Sequence, residues 1–385
     1  MASPDVGSKD DRLEFVRLEN LERCFRSLRE DGASTVADLA VATGLSRPTI
    51  TDRLQDLVVL GLASEVERVV RRGQSSGRPA SRFALNPRAG FVIGVELGKH
   101  QVRILVADMT SRVRMRYVFA SDHRQSVGER MQSLVALVAD IRARHDDLGP
   151  LWGIGAAVPG SLSPDGLMTR SPIFAEWAGQ NVADVFAAAF DVPVTLQNDL
   201  NAAALAEHRH GAAIDASDVV LVLVWHQITA GIVIDGVVHA GKRSLAGEIS
   251  QLKSSAHAEL LERWPSMPEF LATVAAAESG DAHAHAEIEE FAHIAGEQIA
   301  TMLVAIDPDV VVLYGPAAAS ELVAGLVTDA VYAAVMPPAE TPVVRAQLGE
   351  DAAVTGVLIA ALESVGRRFF GVAAEPIYRL AEANA

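Results

Sequence analysis

Residues 194–210 read Val-Thr-Leu-Gln-Asn-Asp-Leu-Asn-Ala-Ala-Ala-Leu-Ala-Glu-His-Arg-His, and this stretch decides the fold. Its first residues, Val194 to Gln197, have the pattern of a short strand. The following residues, Leu200 to His210, are rich in alanine and leucine and predict a helix. Asn198 and Asp199 stand at the junction, where their side chains can project into a cleft. The stretch therefore indicates an α/β fold with polar groups at a strand end.

The chain around this stretch predicts two similar units of strands and helices. Before it, short turns join three strands into an antiparallel meander, and a helix, a strand and a second helix follow: Phe91–Leu97, Val102–Ala107, Val113–Ala120, Val127–His145, Leu151–Val158 and Val182–Phe190. After it, the predicted strands are Val219–Val224, Thr229–Ile234, Gly236–Ala240, Val310–Leu313 and Val343–Ala346, and the helices are Ala286–Ile306 and Ser320–Val335. Two such units with a cleft between them describe the duplicated actin-like ATPase fold found in sugar kinases, related to ribonuclease H.

The first 88 residues follow a different pattern. They predict a helix over Arg12–Glu30, a short helix from the N-cap candidate Ser34 to Gly44, and a third helix after Ser46. The third helix buries one face and leaves Arg47, Thr49, Thr51 and Arg53 on the others. This spacing is typical of a helix-turn-helix, in which the second helix enters the major groove of DNA, although an ordinary helical hairpin shows the same periodicity.

Two extended segments after the third helix favour a winged helix-turn-helix. Ala63–Val70 and Ser81–Leu85 are joined by a turn rich in arginine and glycine, as in a β-hairpin wing. The turn holds Arg71, Arg72, Gly77 and Arg78. An extended arginine of this kind fits a narrow minor groove, although any one of these arginines is also explained as a solvated surface charge.

Charge is unevenly divided along the chain, and the division agrees with DNA binding at one end. The net charge is −16, but residues 1–88 hold 14 Lys and Arg against 13 Asp and Glu, a net of +1 that leaves −17 for the remainder. Within that part, residues 47–88 hold eight Arg against four acids. Local basic character beside an acidic bulk is expected where only one end of a protein contacts phosphates.

Length suggests two or three domains, and composition suggests a cytoplasmic protein. A chain of 385 residues is too long to fold around a single hydrophobic core. We expect a DNA-binding domain at 1–88, a first actin-like subdomain at 89–210 and a second actin-like subdomain with dimerisation helices at 211–385. No signal pattern or membrane-spanning stretch is visible. The single cysteine, Cys24, excludes an internal disulfide and a cysteine-cluster zinc site.

Four motifs give the chain a resemblance to a known family. They are residues 155–160 (GAAVPG), 197–204 (QNDLNAAA), 230–236 (AGIVIDG) and 246–249 (AGEI), and the likeness extends to residues 356–362. In this order and spacing the chain resembles the ROK family of repressors, open reading frames and kinases, and specifically its regulator branch. The resemblance implies the actin-like fold and a sugar site between the two units.

The resemblance also implies the residues of that sugar site. Asn198, Asp199 and Glu248 match the family's ligands of sugar hydroxyls, Gln251 stands where the family has a histidine, and Glu262 is the counterpart of a second glutamate. Carboxylates and amides held rigidly can form paired hydrogen bonds to vicinal hydroxyls. Read from the residues alone, Asp199 is better explained as an N-cap, and Glu248 could equally be a solvated loop acid.

Three loops depart from the pattern of the family's kinases, so we expect neither phosphoryl transfer nor a cofactor. The first turn reads Glu96-Leu97-Gly98-Lys99-His100 and lacks a second glycine and a hydroxyl. The loop at residues 225–230 (WHQITA) carries bulky side chains in place of glycines, and Tyr314-Gly315 replaces a glycine pair. Such loops bind phosphate through free backbone amides, on whose positioning phosphoryl transfer depends.

The family's zinc loop is also missing, and we predict no metal. Residues 254–259 (SSAHAE) stand in place of its cysteines. His257, His283 and His285 could suggest a metal site, but without thiolates they are better explained as surface residues.

Together these features predict a regulator that binds operator DNA as a homodimer and responds to a sugar, with repression the expected outcome. Two alternatives remain: a sugar kinase with an accessory DNA-binding domain, and an architectural regulator whose pocket no longer binds a ligand.

Overall fold

The computed structural model describes residues 9–66, 81–371 and 381–382, apart from residues 123, 172, 226–227, 252–258, 261 and 338–339. The chain folds into a mixed α/β structure, which confirms the predicted class. Among the described residues, no helix combines the length and the hydropathy needed to span a lipid bilayer.

Three helices and a small sheet form the amino-terminal part. The helices are α1 (Lys9–Asp31), α2 (Val36–Thr43) and α3 (Arg47–Val59), and the strands are β1 (Ser34–Thr35), β2 (Ala63–Val66) and β3 (Arg82–Leu85). The strand order is β1-β3-β2, and every pair is antiparallel. Leu39, Ile50 and Leu57 are fully buried in the core between these elements. Residues 67–80, which include Arg71, Arg72, Gly77 and Arg78, lie outside the described residues.

The N-caps of α2 and α3 explain where these helices begin. Thr35, not Ser34, caps α2: its hydroxyl accepts a hydrogen bond from the Asp38 amide, and the Asp38 carboxylate accepts one from the Thr35 amide. Ser34 instead pairs with Phe83 across the small sheet. Ser46 caps α3 as predicted. The expectation for Ser34 was wrong because two adjacent residues were both capable of capping.

The first large sheet is built from the meander and two parallel strands. Its strands are β4 (Phe91–Leu97), β5 (Gln101–Asp108), β6 (Arg112–Ala120), β7 (Leu151–Val158) and β10 (Val194–Asn198). The short strands β8 (Ser161–Leu162) and β9 (Met168–Arg170) form a separate hairpin between β7 and β10. The order is β10-β7-β4-β5-β6, with β7 and β10 parallel to β4. Helices α4 (Val127–Arg144) and α5 (Val182–Ala189) cover one face, where Ile93, Val95 and Leu97 are buried.

The second large sheet comes after α6 (Asp199–His210). Its strands are β11 (Val219–Leu223), β12 (Thr229–Ile234), β13 (Val237–Val238), β14 (Val310–Tyr314) and β15 (Val343–Arg345), in the order β13-β12-β11-β14-β15. Helices α7 (Met267–Glu278), α8 (Ala282–Ile306) and α9 (Glu321–Ala334) pack on one face. A cluster of Trp264, Phe270 and Phe291 fills that core, with the Phe270 and Phe291 ring centroids 4.7 Å apart.

The last helix, α10 (Ala352–Phe370), lies beside α6 between the two sheets. It contacts β4 and β7, and it approaches α6 so closely that a Cβ on Gly356 would lie 1.8 Å from the Ala202 carbonyl oxygen. The strand β16 (Ala381–Glu382) then pairs with β6. These elements belong to the predicted range 211–385, yet they pack on the first sheet, because the chain returns to it after β15.

The amino-terminal part shares its core with α10. The Phe25 and Phe370 ring centroids are 5.1 Å apart, and Gly371 lies against Leu18. Leu21, Phe25 and Leu28 of α1 therefore belong to the same buried cluster as Leu358 and Leu362 of α10.

Candidate functional site

Asn198 closes the junction between β10 and α6. Its Oδ1 accepts hydrogen bonds from the Leu200 amide at 2.9 Å and the Asn201 amide at 3.1 Å, and its Nδ2 donates to the Gly160 carbonyl oxygen at 2.9 Å. Asn198 is thus the N-cap of α6 and also holds the turn after β7. The N-cap role that the sequence left open for Asp199 belongs to its neighbour.

Asp199 is the first residue of α6, and its carboxylate accepts a hydrogen bond from the Leu200 amide at 3.0 Å. Burial, followed by the nearby Glu248 carboxylate, raises the pKa of Asp199 to about 6, while the Leu200 amide opposes that shift. A carboxylate that is partly protonated near neutrality, at a helix N-terminus and without a described cationic partner, is typical of a ligand site rather than of a structural ion pair.

Two close backbone approaches bring Glu248 to Asp199. A Cβ on Gly247, whose φ is +80°, would lie 2.0 Å from the Ala230 carbonyl oxygen, and the Gly247 carbonyl accepts a hydrogen bond from the Ala230 amide at 2.9 Å. A Cβ on Gly231 would lie 2.4 Å from the Leu200 carbonyl oxygen. Strand β12 therefore holds both the loop of Glu248 and the first turn of α6, and only glycine fits at these two positions.

The other two predicted sugar ligands are placed differently. Gln251 ends a short 3₁₀ turn, Ile249–Gln251, directly after Glu248, but its side chain is outside the described part of the chain. Glu262 is exposed and lines a shallow groove together with Glu269 of α7 and Glu287 of α8. The structure thus brings Asn198, Asp199 and Glu248 together, and it places Glu262 on the outer face of the second core.

Glu96 adds a third carboxylate to the cleft. Burial raises the pKa of Glu96 to about 7; Arg103 opposes this shift, whereas Asp199, Asp351 and Glu350 reinforce it. The Arg103 Nη1 atom is 3.7 Å from Glu96 Oε1. The sequence identified Glu96 only as a departure from a phosphate loop, and the structure shows that it shares its surroundings with Asp199.

An ion-pair network, which the sequence did not predict, lies beside Glu96. Arg103 of β5 pairs with Glu350, and its Nε is 3.9 Å from Asp351 Oδ1. Arg116 of β6 donates to Asp351 at 2.7 Å. The network connects the meander to the residues that precede α10. Its members are far apart in sequence, so no local pattern could have indicated it.

A cavity of about 790 Å³ opens at the carboxyl ends of β14 and β15. Tyr314, Gly315, Arg345, Gln347 and Glu350 are among the residues that line it. Burial, and then the charges of Glu96 and Asp199, raise the pKa of Tyr314, so this residue lies between the cavity and the carboxylates. Carboxyl ends of parallel strands are the usual position of ligand sites in α/β folds.

The loop after β11 carries two of the bulky side chains that stand in place of glycines. Trp225 and Ile228 were expected to obstruct a phosphate site, yet both pack against the core of the second sheet and its helices. Residues 226–227 are not described. The core of the second sheet therefore holds Ile228 and part of the Trp225 side chain, since apolar groups of this size are more stable when buried.

Among the predicted DNA-contacting residues on α3, only Arg47 and Thr51 are exposed. The Thr49 hydroxyl lies 2.8 Å from that of Ser46, and Arg53 is half-buried with its Nε 3.0 Å from Asp56 Oδ2. The structure thus presents two of the four predicted side chains to solvent and engages the others within the protein.

The donor set for the family's zinc site is lacking in this chain. Its only cysteine, Cys24, is buried in the amino-terminal core, where burial raises its thiol pKa to about 11. Among the described residues, no group of three or more His, Cys, Asp and Glu side chains could hold a metal ion. Residues 252–258 fall outside that search.

The chain belongs to the ROK family, because the sequence model of that family matches residues 92–260 and 254–364. Two similar proteins are the DNA-binding transcriptional dual regulator NagC of Escherichia coli, 26% identical over 243 residues, and the xylose repressor of Caldicellulosiruptor bescii, 26% identical over 211 residues. These matches cover 63% and 53% of this chain, and 59% and 51% of the relatives. The chain thus spans less than two thirds of the length of the curated relatives it matches.

Solved structures confirm the fold. A ROK family transcriptional regulator, a homologue of the E. coli Mlc protein, has a TM-score of 0.70 at 20% identity and covers 92% of this chain and 97% of its own. A ROK family glucokinase from Streptomyces griseus, solved with glucose and AMPPNP, has a TM-score of 0.57 at 20% identity and covers 71% of this chain and 99% of its own. The ROK sugar-kinase-like architecture is therefore common to regulators and kinases.

Proposed function

We propose that this protein is a sugar-responsive transcriptional regulator that binds operator DNA and does not transfer phosphate. The observation that carries the proposal is the pair Asp199 and Glu248, held together beside a cleft in a chain that also has a three-helix amino-terminal part. The similarity to NagC and to the xylose repressor supports it. We further propose that the protein acts in the cytoplasm.

The amino-terminal part has the element order of a winged helix-turn-helix. Gly44, with φ +70°, forms the turn between α2 and α3, and β2 and β3 are the two strands of a wing. In this arrangement α3 enters the major groove with its amino-terminal residues, among them Arg47 and Thr51, while Arg71, Arg72, Gly77 and Arg78 contact the backbone or minor groove. A homodimer would present two such helices to a palindromic operator.

The sugar site consists of Asp199, Glu248 and the remaining N–H of Asn198. Vicinal hydroxyls donate to the two carboxylates, and the amide donates to a sugar oxygen. Because one Asn198 N–H and its Oδ1 are already engaged, Asn198 positions α6 as well as contacting the sugar. Gln251 follows Glu248 closely enough to complete the site. Glu262 contacts the sugar only if the groove that it lines with α7 and α8 moves towards the sugar site.

Acidic groups beside the cavity argue against a nucleotide. Glu350 lines the cavity together with Tyr314, whose pKa is raised by burial and then by the charges of Glu96 and Asp199. Phosphates need amide, cationic or metal partners, whereas carboxylates repel them. Two cations lie near the cavity, and both have partners. Arg103 is paired with Glu96 and Glu350. Arg345, which lines the cavity, donates to the Ala319 carbonyl oxygen at 3.2 Å and lies 3.6 Å from Glu321. Asp199 therefore binds sugar without acting as a base in phosphoryl transfer.

Helix α10 offers a path from the cleft to the DNA-binding part. Its amino-terminal end follows Asp351, which contacts Arg103 and Arg116, and its last residue, Phe370, packs against Phe25 of α1. With 19 residues the helix is about 28 Å long. Sugar binding that favours a closed cleft would shift α10 and thereby change the spacing of the two DNA-binding parts of a dimer.

The test measures operator affinity with and without sugar. Fragments selected from random duplex DNA provide the operator, and a panel of sugars, amino sugars and phosphosugars provides the effector. We expect one sugar to change operator affinity at least about tenfold, and Glu248→Ala to abolish the change, whereas Glu289→Ala, an exposed acid on α8, retains it. Absence of affinity for every duplex contradicts the proposal.

The same panel with ATP distinguishes the kinase alternative. Sugar-dependent release of ADP at ordinary enzyme concentrations would identify a kinase with a DNA-binding domain. DNA binding without a response to any sugar would identify the architectural regulator.

A further inference from the structure

A second cleft lies on the outer face of the first sheet, away from the sugar site. It has a volume of about 340 Å³ and lies between α4 and the ends of β4, β5 and β6. Its polar wall is formed by Ser121, Gln125, Arg130 and Ser133, and its apolar wall by Leu97, Val102, Phe119, Ala120, Leu134 and Leu137. We call it the α4 cleft. Its volume is at the lower end of the range for small-molecule sites.

Arg130 is the unusual residue of this cleft, because its buried charge has no anionic partner within the part of the chain that the structure describes. The residue is only 2% exposed. Its Nη1 donates to the Ser121 hydroxyl and its Nη2 to the Asp122 carbonyl oxygen at 2.6 Å, and the guanidinium lies 4.3 Å from the centroid of the Phe174 ring. All three partners are neutral, and the buried Nε has no hydrogen-bond partner among the residues that are described.

The nearest carboxylate does not neutralise this charge. Asp122 is engaged by Arg124, whose Nε and Nη2 donate to it at 3.0 Å and 2.9 Å. Among the described residues, no carboxylate forms an ion pair with Arg130. Burial accordingly lowers the pKa of Arg130, with only partial compensation from Asp122. A buried cation of this kind is costly unless an anion joins it.

The position of the cleft separates it from the sugar site. Successive side chains of a strand point to opposite faces of the sheet. Leu97 packs with the α4 layer and lines the α4 cleft, whereas Glu96 faces Arg103 and the carboxylates of the sugar site. The two sites therefore lie on opposite faces of β4, and a ligand of one would not contact the other.

We propose that the α4 cleft binds a small organic carboxylate with an apolar body, whose carboxylate pairs with Arg130 and whose hydrocarbon part lies against Leu97, Phe119 and Leu134. The carboxylate replaces the Ser121 hydroxyl as the acceptor for Arg130 Nη1. Arginine and carboxylate form charge-assisted, often bidentate hydrogen bonds, which are stronger than those to a neutral hydroxyl. The apolar wall excludes strongly hydrated inorganic anions as preferred ligands.

Calorimetric titration with sodium hexanoate and sodium benzoate tests this site on the full-length protein. Hexanol and hexylammonium chloride are the neutral and cationic controls. We expect hexanoate to bind at least about tenfold more tightly than hexanol, because only the acid pairs with Arg130. Equal affinity for hexanoate and hexanol, or no heat with either acid, overturns the proposal.

Two variants on α4 locate the binding. Ser133→Phe places a ring in the α4 cleft from its exposed edge, and Ala136→Phe adds the same ring to an exposed position of α4 that does not line the cleft. We expect Ser133→Phe to weaken hexanoate binding at least about tenfold and Ala136→Phe to leave it unchanged. If Ser133→Phe binds hexanoate as the unmodified protein does, the ligand lies elsewhere and the proposal fails.

Arg130→Met provides a further measurement. Replacing a buried, unpaired cation by an apolar side chain of similar length is often neutral or stabilising, so we expect a folded protein that no longer distinguishes hexanoate from hexanol. Should Arg130→Met fail to fold, the comparison of Ser133→Phe with Ala136→Phe decides the question alone.

Discussion

In the proposed sugar site, Asp199 connects the protonation of a single carboxyl group to the binding of sugar. Its pKa is raised from 3.8 to about 6, so an appreciable fraction of the unliganded protein holds a neutral Asp199 near pH 6. Hydroxyl donors bind the ionised form better. We expect sugar affinity to rise as the pH increases from 5 to 7 and to become nearly constant above it. Titrations at several pH values check this, and Asp199→Asn should remove most of the slope.

The raised pKa values also fix the sign of a stability effect. Asp199 and Glu96 bind protons more tightly in the folded protein than in the unfolded chain. Their contribution to stability is present below the unfolded values, near pH 4, and is lost as the pH rises through about 6 and 7. Glu96→Gln should therefore stabilise the unliganded protein at pH 8 more than at pH 4, as measured by urea unfolding.

The resemblance to the family predicts both Glu248 and Glu262 as sugar ligands, but the two residues lie in different surroundings. Glu248 influences Asp199, whereas Glu262 is exposed on the outer groove. We expect Glu248→Gln to weaken sugar binding about tenfold or more, since a half-buried carboxylate acceptor is replaced, and Glu262→Gln to change it by less than about twofold. Equal losses in both variants would show that the groove closes onto the sugar.

At the scale of elements, the loop between β13 and α7 depends on one glycine. Gly247→Ala places a Cβ against the Ala230 carbonyl and should displace Glu248, abolishing the sugar response and costing about 1–3 kcal/mol of unfolding free energy. Gly280→Ala is the matched control, because Gly280 has φ +95° but open space around it. A similar loss in both variants would assign the effect to backbone strain alone.

Helix α3 supplies a second prediction at this scale. Arg47 is exposed and Arg53 is paired with Asp56. We expect Arg47→Ala to weaken operator binding about tenfold and to lower the slope of affinity against salt concentration by about one unit. Arg53→Ala should mainly reduce stability. Anisotropy titrations at several salt concentrations, with thermal unfolding alongside, separate the two effects.

Elements with a clear period were predictable from the sequence, and elements buried on all sides were not. Strand β7 begins and ends at the predicted residues, because its apolar run is bounded by turns. Helix α10 was not predicted as a helix. It is buried on all sides from Ala352 to Leu362, so it has no polar face to reveal the helical period.

The sequence identified the polar pair Asn198 and Asp199, but only the hydrogen bonds showed that Asn198 is the N-cap and Asp199 the first residue of α6. Arg103 and Tyr314 reach the cleft from separate sheets, which no local pattern encodes.

For the whole molecule, the contact between Phe25 and Phe370 joins α1 to α10, and the proposed coupling of sugar binding to operator binding depends on it. Phe370→Ala should destabilise the protein by about 3–5 kcal/mol and reduce the effect of sugar on operator affinity, because α10 no longer packs against α1. Phe15→Ala, an exposed aromatic on the same helix α1, serves as the control. A stable Phe370→Ala protein with an undiminished sugar effect would show that the signal takes another route.

The core that α1 shares with α10 has a consequence for engineering and for evolution. In a regulator whose DNA-binding and sensor domains are joined only by a flexible linker, exchange of the DNA-binding domain could supply a new operator specificity. In this chain that domain would correspond to the first 88 residues. Here such a chimaera would leave Leu358, Leu362 and Phe370 facing a foreign surface. For the proposed regulator, we therefore expect new operator specificity to be more accessible through point changes on α3 than through recombination at the boundary, and a successful chimaera to carry a matching α10.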